Sequence, residues 1–213
     1  MFLAATVFTA LGFFGIGTNS NVNFDGLKPG ALPPYWSATE THPGEPPHWV
    51  ILNDRTAPSH GNVFAQVSSA PGEYAFPLAV FDKVICRDGD LSVKFKIDAG
   101  GPGKMRTAGI VWRYQDPNDY YLLHFSVDDK NIALFHMENG KAHAIQMTGH
   151  DIRPGQWYIA KVAFRGRNIR VEFGNRLLFD AVDDSIPNPG KTGLWTKAGT
   201  IAYFDDFRID KKD

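Results

Sequence analysis

Four side chains recurring at intervals of eleven residues, Arg113, His124, Phe135 and Gln146, bring together a guanidinium, an imidazole, an aromatic ring and an amide. On one sheet face such a set suits a sugar, whose C–H faces stack on rings while its hydroxyls take charged or amide partners. The same face could equally be half covered by loops, with Arg113 paired to an acid and Phe135 shielded. Elimination chemistry, which needs a neutralising Arg and a His or Tyr base, would find those groups in Arg113, His124 and Tyr120.

Other chemistries find less. The chain has no Gly-x-Ser-x-Gly elbow, no His-Glu-x-x-His, no phosphate loop and a single cysteine, Cys86, which cannot pair within the chain. Cys86 sits in the alternating run Val84-Ile85-Cys86 and reads as packed rather than reactive. His136 and His143 fall opposite each other at a strand end, two of the ligands a transition metal wants, without a third. Glycoside hydrolysis needs two carboxyl groups. Around the four candidate residues the acids lie in turns, at Asp116, Asp119, Asp128, Asp129 and Glu138. Asp90 and Glu172 do fall on strands, where each reads as balancing a neighbouring base. A hydrolase built on this sheet is therefore disfavoured, and whether the chain is an enzyme stays open.

Those four residues can share a face only if turns hold adjacent antiparallel strands in register. Asp116-Pro117-Asn118-Asp119 as a four-residue turn pairs Tyr114 with Tyr121, Trp112 with Leu123 and Ile110 with Phe125 in a core. Arg113, Val111 and Gly109 then stand opposite Leu122, His124 and Ser126 on the other face. Asp128-Asp129-Lys130-Asn131 sets Phe125 against Leu134 and Val127 against Ile132 inside, and His124 against Phe135 outside. Glu138-Asn139-Gly140-Lys141 sets Leu134 against Ile145 and Ile132 against Met147, leaving Phe135 opposite Ala144 and Ala133 opposite Gln146.

The rest of the chain agrees with an all-β fold. Its 213 residues are 43% hydrophobic, with 22 Lys and Arg against 23 Asp and Glu, so disorder is excluded and one domain fits. Near-neutral charge supplies no basic stripe, which argues against nucleic acid and an anionic membrane surface. With 21 Gly and 14 Pro, no window offers a convincing amphipathic helix, whereas short apolar or alternating runs recur between turn residues. Strands are expected at 23–24, 48–52, 64–67, 74–81, 90–97, 108–114, 120–127, 132–137, 143–148, 157–165, 168–173, 176–181, 193–196 and 203–209. Pro29 to Pro47 is expected to be a surface loop. The apolar run Phe2 to Gly17 has the length of a signal core and falls short of the roughly 20 residues of a membrane span. Residues 1–20 are accordingly expected to be a signal peptide or N-terminal anchor, with the domain in 21–213, secreted or periplasmic.

The run Ala108-Gly109-Ile110-Val111-Trp112-Arg113-Tyr114-Gln115-Asp116, then Asn118-Asp119-Tyr120-Tyr121 and Asn139-Gly140-Lys141, resembles the concanavalin A-like lectin/glucanase superfamily. So does the ending Gly193 to Thr200 followed by Tyr203-Phe204-Asp205-Asp206-Phe207. Within it the chain is similar to laminin G-like and 3-keto-disaccharide hydrolase domains, from about Asn23 to Ile209. The resemblance implies a two-sheet antiparallel jelly-roll sandwich with a glycan on its concave face, and strand alternation adds Trp195 and Lys197 to that face with Leu194 inside. It also implies a structural Ca²⁺ where first and last strands meet, with Asp25, Asp205 and Asp206 as oxygen ligands. The glucanase Glu-x-Asp-x-Glu motif is missing, so a lectin-like module is expected, with a glycan-cleaving hydrolase or lyase, or a protein-binding or self-assembling module, as alternatives.

Overall fold

A computed structural model describes residues 19–44, 46–68, 75–100 and 105–213. They form fifteen strands: β1 Asn19–Val22, β2 Trp36–Thr41, β3 Trp49–Asn53, β4 Asn62–Gln66, β5 Phe76–Cys86, β6 Gly89–Ile97, β7 Thr107–Asp116 and β8 Asp119–Ser126. The series continues with β9 Asn131–Glu138, β10 Lys141–Gly149, β11 Trp157–Arg165, β12 Asn168–Phe173, β13 Arg176–Val182, β14 Gly190–Thr196 and β15 Ala202–Lys211. Two antiparallel sheets result. One runs β13-β12-β11-β6-β15-β4-β3 with β1 also on β15, and the other runs β10-β9-β8-β7-β14-β5-β2. This is the expected all-β jelly-roll sandwich.

Period-two alternation builds the layer between the sheets. Leu91, Val93 and Phe95 of β6 face Ile110 and Trp112 of β7 and Leu123 and Phe125 of β8, all buried in one cluster. Aromatic pairs lock the layer: Phe95 stacks on Phe125 at 4.2 Å and Trp112 on Tyr121 at 5.4 Å between centroids. Cys86 is buried in this cluster, and burial pushes its thiol up to about 11, in keeping with a packing role.

Several expectations change, among them the strand expected at 23–24, whose place is taken by β1 at Asn19–Val22. The proline-rich segment contains strand β2, an edge strand whose Trp36 is buried against Phe64, Phe81 and Phe207. Proline excludes only ladder-donating positions, and none occurs within Trp36–Thr41. At the other end of the chain, Asn19 and Ser20, the last two residues of the expected leader 1–20, belong to β1 and pair with Asp210 and Ile209; the rest of that leader, residues 1–18, lies outside the described residues. In β7 a bulge between Trp112 and Asp116 shifts the ladder by two, so that Trp112 pairs with Tyr121, Ile110 with Leu123 and Gly109 with His124. The next turn begins at Val127, because Ser126 Oγ bonds Asp129 at both its carboxylate and its amide and ends β8 there; Phe125 therefore pairs with Ile132 and His124 with Ala133. Even shifts preserve which face a residue occupies.

The Glu138–Lys141 turn forms as expected, with Asn139 and Gly140 both at positive φ (51° and 75°) as a two-residue hairpin turn requires. Its register holds through Phe135 opposite Ala144. A bulge at Ile145 then puts Gln146 opposite Leu134 and Met147 opposite Ala133.

Candidate ligand-binding face

The face of the second sheet turned away from the sandwich carries a core of its own. Leu78, Val80, Val111, Tyr120, Leu122, Met137 and Trp195 are buried there, with Phe76, Tyr114 and Phe135 packed against them. Four inter-strand steps separate β2 from β8, about 19 Å if the sheet were flat. Yet Thr41 Oγ1, at the end of β2, donates to the Pro117 carbonyl and lies 2.8 Å from Tyr120 Oη. His42 Nε2 is 3.0 Å from the Gly140 carbonyl. A twist of about 20–25° per step accumulates to roughly 80–100° over that distance and swings the two corners toward each other. The sheet is thus rolled along a diagonal, and Thr41 and His42 clasp it to the turns at Pro117 and Gly140.

Rolling sorts the expected ligand residues. Trp195 does lie on this face with Leu194 inside the sandwich, but it is only 3% exposed, and its Nε1 donates to Tyr120 Oη at 3.2 Å. His124, Phe135 and Lys197 are half-buried at the open corner. The His124 ring stands edge-on to Phe135 at 5.7 Å and to Trp195 at 5.9 Å. Burial, reinforced by the nearby Lys197 charge and opposed by Asp129, depresses the His124 pKa to about 4. The imidazole is neutral at pH 7, and its Nδ1 is buried without a hydrogen-bond partner.

Arg113 is a correction. It is 1% exposed and belongs to the scaffold. The bulge gives it φ 46° and turns its side chain to the end of the sandwich. There Nε donates to the Arg87 carbonyl at 2.8 Å, Nη1 to Ile186 at 2.9 Å and Nη2 to Gly166, with Asp88 at 3.6 Å. One guanidinium so clips the β5–β6, β11–β12 and β13–β14 connections. Gln146 is a second correction: the Ile145 bulge aligns it with core-facing Leu134, on an exposed edge strand, away from His124. The trio for elimination chemistry is not assembled, since Arg113 is spent on carbonyls and burial raises the already weakly acidic Tyr120 hydroxyl further. Tyr114, expected in the sandwich core opposite Tyr121, instead stacks on Tyr120 inside the roll.

Among the described residues, the buried strand positions of this face carry no Asp or Glu; at its rim Asp82 of β5 and Asp116 of β7, two positions on from Val80 and Tyr114, lie near Tyr114, and Asp82 pairs with Lys191 at 2.6 Å. Asp90 and Glu172 lie on the outer face of the first sheet, beside a shallow hollow of about 320 Å³. Asp90 pairs with Arg165 and Lys212, and Glu172 with Lys161 and Arg170, as the alternation of charges leads one to expect. The three acids considered for Ca²⁺ divide. Asp25 Oδ1 accepts from Ser59 Oγ and the Asn62 amide, and buried Asp205 accepts from the Ser59 amide, each at 3.0 Å. Two carboxylates thus meet on one loop and offer the hard oxygens calcium takes. Asp206 does not fit, because the bulge in β15 turns it to Lys94 at 2.7 Å.

Sequence reasoning missed Phe76 and the clasp residues Thr41 and His42. The Thr41–His42 step sits inside the proline-rich segment, and no local signal announces contacts made across 76 to 98 positions.

No protein-family model matches the sequence, and no curated protein matches it. Solved structures do share the architecture. The carbohydrate-binding module CBM66 from Bacillus subtilis superposes with a TM-score of 0.63 at 20% identity, over 83% of this chain and 96% of that one. The cellulose-induced protein Cip1 gives 0.62 at 12% identity, over 83% and 91%. A Bacillus licheniformis β-glucanase gives 0.50 at 14% identity, over 71% and 79%. The chain therefore has the two-sheet jelly-roll fold found in these three proteins.

Proposed function

We propose that the protein is a carbohydrate-binding jelly-roll module that takes a glycan at the open corner of its rolled sheet, without cleaving it. The observation that carries this reading is the convergence of half-buried Phe135, His124 and Lys197 at that corner, backed by Trp195. Phe135 offers a ring to a pyranose C–H face, Lys197 donates to hydroxyls or a uronate carboxylate, and neutral His124 brings an imidazole to a hydroxyl. The likeness in fold to a carbohydrate-binding module supports the ligand class. The acids nearest this face, Asp82 and Asp116, flank Tyr114 at the other end of β7 from the corner, and Asp82 is paired with Lys191, which supports binding over hydrolysis at the corner.

The same reading includes export to the periplasm or cell exterior on the apolar leader, and a structural Ca²⁺ held by Asp25 and Asp205. The test incubates the protein with a polysaccharide panel and scores bound protein and released sugar together. Saturable binding without product is expected, weakened about tenfold or more (~1.4 kcal/mol) by Phe135→Ala and by Lys197→Ala. Released sugar would make it an enzyme. Self-association without sugar binding would make it an assembly module, and binding that both variants leave intact would remove the corner as the site.

A further inference from the structure

A second cluster of chemistry lies outside the glycan corner, where the β9–β10 hairpin meets the segment that follows β13. The Asn139-Gly140 turn sets Glu138 opposite Lys141 and His136 opposite His143. Glu138 is two residues beyond His136 on the same strand, so alternation returns it to the same face. The two imidazoles lie nearly parallel, 4.9 Å apart between centroids and 12° between planes. One ligand atom from each of His136, Glu138 and His143 falls within 4.8 Å of the others, and no other such group of three occurs among the described residues. His143 Nε2 is 4.0 Å from Glu138 Oε2.

A fourth group stands behind them. Asp183 Oδ1 accepts from Tyr121 Oη at 2.6 Å and from the Ser185 amide at 3.0 Å, which fixes the carboxylate. Its Oδ2 is then left 3.7 Å from His136 Nδ1, too far for a hydrogen bond, and that buried nitrogen has no partner. A fixed carboxylate beside one ring nitrogen is the arrangement that orients a metal-bound histidine.

We propose that His136, His143 and Glu138 form a binding site for a divalent transition ion of the Zn²⁺ class, with Asp183 as the positioning residue behind His136. Two imidazoles and a carboxylate are a donor set zinc accepts, with a fourth position left to water. Zinc bonds of about 2.0–2.2 Å place tetrahedral ligand atoms roughly 3.4 Å apart, so the three groups must draw in by about 1.4 Å at most. Glu138 and His143 have the freedom for this, with side chains 64% and 47% exposed. The bound ion would tie edge strand β10 to β9, and through Asp183 to the β13–β14 connection between the two sheets. This site shares no residue with the glycan corner, so either assignment can fail without the other.

The test titrates the full-length, tag-free, chelator-treated protein with CoCl₂ alone and with ZnCl₂ alone, followed by visible absorption and calorimetry. One Co²⁺ per chain is expected, with the intense visible bands of a four-coordinate ion, displaced by Zn²⁺. His143→Ala lies on an exposed edge strand and leaves the fold intact; it should weaken binding at least tenfold, as should Glu138→Gln, while His150→Ala changes nothing. No visible band in the parent protein overturns the proposal. So does binding that His143→Ala leaves unchanged, which would be adventitious capture by other histidines.

Discussion

Replacing Arg113 separates a structural guanidinium from a sugar-binding one. The side chain makes three hydrogen bonds to main-chain carbonyls, stands near Asp88 and lies 5.9 Å from the Tyr121 and Phe164 rings. A charged hydrogen bond contributes about 1.5–3 kcal/mol, so three set an upper bound of roughly 5–9 kcal/mol for Arg113→Ala. Burial of the guanidinium costs part of that, as its depressed pKa records. Breaking a buried charged network of this kind usually costs about 3–5 kcal/mol, which for a domain of this size lowers Tm by roughly 6–20 °C. Arg113 also sits at φ 46°, where a residue with a Cβ is strained. Arg113→Gly should therefore recover about 1 kcal/mol relative to Arg113→Ala while losing the same three bonds. Thermal and urea unfolding followed by tryptophan fluorescence measure both. An Arg113→Ala protein that melts within 2 °C of the parent but has lost glycan binding would refute the clip and return Arg113 to the ligand site.

Two further outcomes are expected. The folded-state pKa of His124, about 4, lies below the ordinary value near 6.5, so the stability it contributes is complete above pH 6.5 and is lost as pH falls toward 4. Because the ring is only half-buried, about 3 kcal/mol is the upper bound; a difference in unfolding free energy between parent and His124→Gln that stays constant from pH 7.5 to 4.5 would contradict it. Removal of Ca²⁺ with EGTA should lower Tm, with restoration by added CaCl₂ and no such response in Asp205→Asn. An unchanged Tm in the parent would exclude the cation.

Face assignment was legible in the sequence because alternation alone decides it, and the β7–β8 and β8–β9 ladders were each displaced from the expected register by an even number of residues. Hence His124, Phe135 and Trp195 appear on the predicted side, although their cross-strand partners were displaced. Arg113 and Gln146 escaped because each is governed by a bulge, and bulges break the alternation. Neither bulge carries a glycine to announce it: Arg113 itself adopts positive φ, held by its three carbonyl contacts. The burial of Trp195 was hidden for another reason. It follows from accumulated twist across the sheet and from a clasp on the far strand, neither of which is a property of the residues around position 195.

The position of β15 governs when this fold can form at all. β15, the last strand among the described residues, lies inside its sheet, hydrogen-bonded on one side to β6 and on the other to β4 and β1. Until Ala202–Lys211 leaves the ribosome, β3 and β4 have no partner beyond each other, β1 has none, and β6 presents a bare edge. Synthesis must therefore hold an incomplete sheet with exposed apolar faces until the ten residues of β15 arrive. Such late closure favours slow, all-at-once folding and makes the unfinished chain a client for chaperones. A chain cut short before Ala202 would lack the strand that joins the two halves of its own sheet.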